Sequence, residues 1–190
     1  MNDQEPESLQ PSAFNGGDNT ASYHKRLLAW VIDVFLIAIM LAFVMQYMGL
    51  GIDPGPTGDL KAAQAELLKK LEGLSSSQAL FLSFSPIMSF FILHGYLLYQ
   101  SGQTIGKKIM GIAIVTLDNQ KPAFFQLIGQ RYCSQWVMGM LPFIGLPLRL
   151  LDVMLIFRAD KRCLHDLIAR TKVIDLSIKA AATPNNSFVA

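Results

Sequence analysis

The chain has 190 residues, 52% hydrophobic and 16% charged, with a net charge of +2. Soluble domains carry roughly 25% charged residues, so the composition points to a single-domain membrane protein, and the net charge is too small to argue for a nucleic-acid-binding role. The two cysteines, Cys133 and Cys163, lie far apart with no metal-ligand spacing and are expected as free thiols on the cytoplasmic side.

Residues 1–22 are polar, hold four acids and no Lys or Arg, and read as a disordered tail. A secretory signal would open on a basic region instead. The apolar run Leu27–Leu50 has the length of a membrane span and predicts an uncleaved first transmembrane helix at 27–49. Asp33 is its only formal charge. A carboxylate in hydrocarbon costs about 3 kcal/mol or more, so Asp33 is a candidate ion- or proton-binding residue. Arg26 lies two helical turns earlier on the same face, with Tyr23 and Trp30 continuing the stripe. A separation of about 10 Å keeps Arg26 from touching Asp33, and Arg26 is expected to reach the headgroups. Asp33 then needs a donor from Arg149, Arg131, His94, a water or a proton of its own.

Residues 51–78 form a polar interval, with Pro54 and Pro56 in a loop and a short amphipathic helix over Asp59–Leu74. A second span follows over Ala79–Tyr99, capped from Ser75–Ser77 and kinked at Pro86, with His94, Tyr96 and Tyr99 toward its end. Ile109–Leu117 is β-branched and apolar and ends at the turn signal Asp118-Asn119, predicting a short strand or hairpin at the membrane surface. The preceding Gly102–Lys108 departs from a phosphate-binding loop: its glycines are one residue too close, and Lys108 replaces the magnesium-binding Ser or Thr.

Residues 124–157 are apolar but broken by Pro142, Gly145 and Pro147. They read as a helical hairpin, Phe124–Leu141 in and Leu148–Phe157 back, whose first arm spans the membrane or lies in the interface. Arg149 and Asp152, three apart, can pair on one helix. The hairpin returns Arg158, Lys161, Arg162, Arg170 and Lys172 to the side of Lys25-Arg26 and Lys107-Lys108, so both termini are expected in the cytoplasm and residues 51–78 outside. This basic cluster suits anionic headgroups, at roughly 1 kcal/mol per charge. The fold class is therefore an all-α membrane protein: two transmembrane helices plus a Pro/Gly-broken hairpin, with a short β-like segment at the cytoplasmic surface. The membrane domain covers 23–175, and 176–190 form a second disordered tail.

Lys25–Asp33 resembles the opening motif of the RDD family of membrane proteins, named for an arginine and two aspartates; Arg26 and Asp33 match the first two. Ser101–Gly111, with Gly102 and Gly106, resembles the family's glycine-rich segment, and Asp160–Thr171, with His165 and Asp166, its closing segment. Asp166 best fits the second aspartate, with Asp152 the alternative. Arg170 stands where the resemblance leads one to expect a glycine. The resemblance implies a membrane-embedded protein of a family often proposed to act in transport.

The functional candidates are thus Asp33, Arg26, Asp152, Arg149 and His94 as ion- or proton-handling groups. The expected function is an ion or small-solute transporter of the bacterial inner membrane, proton-coupled through Asp33. Its alternative is a non-enzymatic scaffold or accessory subunit. Two spans and a hairpin enclose too little for a pathway, so a homo-oligomer or a partner membrane protein is expected besides the bilayer. No Ser/His/Asp order, HExxH or metal cluster is legible, which predicts no enzyme, no cofactor and no metal; His165-Asp166 reads as a polar interfacial turn.

Overall fold

The computed structural model describes residues 19–51, 59–158 and 160–178. The Pro54–Pro56 loop and the tail residues 1–18 and 179–190 lie outside the described residues. The chain is mostly helical, with two helices long and apolar enough to cross a membrane and a small two-stranded sheet. Two compact units are present: residues up to Ala29 with those from Leu97 onward, and Trp30–Tyr96.

The first long helix, α1, covers Tyr23–Tyr47 and ends at Gly49, which adopts φ 73°. The second, α3, covers Ser76–Ser101. Their apolar side chains point outward, among them Val31, Phe35, Ile39 and Phe43 on α1 and Phe81, Met88 and Ile92 on α3. A core helix of a soluble protein would bury such residues, whereas a helix in lipid exposes them. The short helix α2, Leu60–Glu72, lies between them, with Asp59 as its N-cap accepting from the Lys61 and Ala62 N–H groups.

The start of α3 follows from two residues. Ser75 Oγ accepts from Gln78 N–H, and Gln78 Oε1 accepts from Ser75 N–H, a reciprocal cap. Pro86 lies inside the helix and lacks the N–H that would bond the Leu82 carbonyl. The buried Ser85 hydroxyl donates to that carbonyl at 2.7 Å, which lets the helix continue.

Beyond α3, the glycine-rich segment is a connector. Gly102 has φ 66°, and a Cβ there would sit 3.0 Å from the Ile114 carbonyl, so only glycine fits without strain. The Gln103 side chain bonds the Ile112 carbonyl, and Thr104 caps the single-turn helix α4, Ile105–Ile109. Strand β1, Ile112–Thr116, is shorter than the expected Ile109–Leu117 because Ile109 still belongs to α4. It pairs antiparallel with β2, Thr171–Asp175, from Ile112 opposite Asp175 to Thr116 opposite Thr171. Asn19 and Ala21, expected in the tail, bond the backbone of β2 on its other edge. Ala113, Val115 and Ile174 form the core beneath.

From Phe124 to Met140 the chain is helical throughout: α5 (Phe124–Gln126), a π-helical stretch (Leu127–Tyr132) and α6 (Cys133–Met140). Helix α7, Gly145–Met154, begins three residues before the expected Leu148, with Pro147 in its first turn, where proline is tolerated. The connection narrows to Leu141–Ile144. A 3-10 turn (Leu155–Phe157) and helix α8 (Leu164–Ile168) lead into β2.

Between α8 and β2, Arg170 adopts φ 50° and is exposed. The tight turn is formed even though a bulky residue occupies a backbone region that favours glycine. Arg170→Gly is expected to stabilise the chain by about 1 kcal/mol, a rise of about 2–4 °C in the thermal midpoint in detergent. An unchanged or lower midpoint contradicts this.

Candidate functional site

The buried candidates among the described residues fall into two groups, one in each unit. In Trp30–Tyr96, α1 contributes Asp33 and α3 contributes His94. Imidazole Nε2 stands 3.8 Å from Asp33 Oδ1, and both residues are buried although their helices present apolar side chains outward. Of the donors weighed for Asp33, His94 is the one the structure brings to it. Arg131 is engaged by Asp166, and Arg149 donates to the Gln135 carbonyl. The inward stripe of α1 also differs from expectation: Ala29 is fully buried, whereas Trp30 is exposed.

The second group gathers around Asp166, which is completely buried. Its carboxylate accepts from Arg131 on the π-helical stretch and from the Cys163 N–H at 3.2 Å, and Arg26 Nη1 lies 3.6 Å away. Arg131 also donates to Thr171 Oγ1 at 2.8 Å. Arg26 donates to the carbonyls of Lys161 (2.6 Å) and Val173 (3.0 Å). It does not reach for headgroups: these contacts keep it buried, since protein carbonyls and a carboxylate replace its water. Of the two candidate partners for the Arg26 motif, Asp166 is the one in contact. Burial alone would raise the Asp166 pKa, but Arg131, His165 and Arg26 outweigh it and hold the carboxyl below the ordinary range.

Asp152, from α7, does not pair with Arg149. It accepts from the His165 backbone N–H at 2.9 Å, and His165 Nδ1 lies 2.8 Å from each of its carboxylate oxygens. The backbone N–H of α8 fixes Asp152 in place, which is why the local i,i+3 pairing loses. Burial and the Arg131 charge push the His165 pKa down, against the pull of Asp152 and Asp166. The Cys163 thiol is pushed up to about 12 by burial and by the Asp166 and Asp152 carboxylates. Cys133 is also a free thiol and is exposed. The polar interfacial turn expected at His165-Asp166 is instead a buried helix start, because each charge there has a partner within the unit.

Gly102 and Gly106 take no part in either group; they shape the connection from α3 to β1. Sequence reasoning missed Arg131 as a partner of Asp166, and Thr171 and Gln135 as polar contacts. An arginine inside an apolar stretch was the available signal for the first. The others carry no local mark. Among the basic residues near the chain ends, Arg162 bonds the carbonyls of Thr171 and Asp166, and Lys25 pairs with Asp175 at 2.6 Å.

Two helices long and apolar enough to cross a membrane, with charges gathered into buried clusters, fit a membrane-type protein. The chain belongs to the RDD family, whose description matches residues 20–170. It is similar to Uncharacterized protein YxaI of Bacillus subtilis (strain 168), with 25% identity over 165 residues, 83% of this chain and 98% of that protein. No solved structure matches the chain.

Proposed function

We propose that the chain is a proton-coupled transporter of an ion or small solute in a bacterial inner membrane, with Asp33 and His94 as the groups that exchange the proton for the cargo. The observation that carries this reading is their 3.8 Å approach from two separate spanning helices, both side chains buried. A carboxylate and an imidazole side by side can pass a proton between them, and a cation competes with that proton for the carboxylate oxygens.

Both termini lie in the cytoplasm, since Lys25, Arg26, Lys107, Lys108 and the basic residues from Arg158 onward then share the positive-inside side. The segment 124–157 enters the membrane as a hairpin. Exposed Phe143, Leu146, Leu150 and Phe157 support this placement. Two spans and a hairpin do not enclose a pathway, so transport requires a homo-oligomer.

Flux in proteoliposomes under an imposed pH gradient, across several cations, tests the reading. Wild type is expected to move one of them, and Asp33→Asn and His94→Gln are expected to lower the initial rate at least about tenfold at matched protein content. No flux above empty vesicles, or full flux in Asp33→Asn, overturns it. A stoichiometric partner protein recovered without flux would favour the scaffold reading instead.

A further inference from the structure

The fold brings together three side chains with different donor atoms. The Asp152 carboxylate, Cys163 Sγ and a His165 ring nitrogen lie within 4.8 Å of one another. Asp152 comes from α7, Cys163 caps α8 and His165 lies in its first turn; all three are buried. Independently of the transport reading, we infer that this corner is a binding site for a divalent transition-metal ion of the zinc type.

The crowding at His165 Nδ1 supports this. Both Asp152 oxygens stand 2.8 Å from it, and the Gln135 amide nitrogen stands 2.9 Å from it. An imidazole nitrogen offers one hydrogen or one lone pair, so three polar neighbours oversubscribe it as a hydrogen-bonding atom. The same convergence of lone pairs suits a cation. Turning the Gln135 amide, whose oxygen and nitrogen are interchangeable by shape, places a fourth donor atom, an oxygen, at the corner.

The donor set selects the metal. Thiolate, imidazole and carboxylate together favour a borderline ion such as zinc, with bonds of about 2.0–2.3 Å. Calcium and magnesium prefer oxygen alone. Small rearrangements bring donors spaced within 4.8 Å to the separations of a tetrahedral shell. Asp166 does not compete, because Arg131 and Arg26 already answer it. Binding releases the Cys163 proton to solvent. The thiolate and carboxylate then balance the divalent ion, and no electron is transferred. The bound ion would fasten α7 to the start of α8.

The full-length chain in detergent, stripped with a chelator, is titrated with Co(II). About one equivalent per chain should bind, giving the visible bands of a four-coordinate ion and a thiolate-to-cobalt band in the near ultraviolet. Zn(II) should displace it. Cys133→Ser leaves Cys163 as the sole cysteine and should retain both signals, assigning the thiolate even if Cys163 variants fail to fold. Cys163→Ser should lose the ultraviolet band and bind at least about tenfold more weakly. Absence of saturable binding by folded wild type overturns the inference, as does a thiolate band missing from Cys133→Ser.

Discussion

Asp166→Asn is expected to destabilise the chain by about 3–5 kcal/mol. The substitution preserves shape and removes only charge. Wild-type Asp166 is fully buried and answers two guanidinium groups, Arg131 in direct contact and Arg26 at 3.6 Å. An amide can accept from one of them but neutralises neither. Arg131 keeps Thr171, and Arg26 keeps the Lys161 and Val173 carbonyls, so both remain held in place as buried cations without a counter-charge. Chemical denaturation in detergent reads the loss; a change below about 1 kcal/mol contradicts it. The pH dependence follows in sign. The folded Asp166 pKa lies below its ordinary value, so its contribution is complete above the ordinary carboxylate range. It drains away as pH falls through the folded value, and Asp166→Asn should lack that acid limb.

Arg131→Met is expected to cost about 3–5 kcal/mol for the mirror-image reason. The methionine fills apolar space in the helix but leaves Asp166 facing Arg26 alone at 3.6 Å. Removing both members of the direct pair, as Arg131→Met with Asp166→Leu, should be less damaging than the sum of the single changes by about 2 kcal/mol. Full recovery is not expected, since Arg26 then stays buried without its carboxylate. Additive losses across this cycle would show that the two side chains are not coupled.

The helices were legible because their signals are local. Span length marked α1 and α3, and Asp59 and Ser75 announced the starts of α2 and α3. The misses share a different cause. Strand β2 has five residues and pairs with β1 more than fifty positions earlier, so no local pattern reveals it. Asp152 has a charged neighbour at the right helical spacing in Arg149, yet it is taken by His165, which no spacing rule connects to it. Seven-residue spacing placed Arg26 and Asp33 on one face of α1, and each is buried within its own unit. The same rule chose Trp30 over Ala29, because it carries no information on which side of that face turns inward.

The wide-turn stretch Leu127–Tyr132 carries a consequence for how this chain tolerates length changes. The Cys133 N–H reaches back five residues to the Ile128 carbonyl, one more than an ordinary helical bond spans. The stretch holds one residue more than ordinary helical turns would. Excising a single amino acid here would therefore let it close into α turns while the segments on either side keep nearly their present bearing, and only side chains within the stretch would be re-aimed. A one-codon deletion in the plain helix α6, by contrast, would swivel everything after it by about 100° and should be the less tolerated of the two.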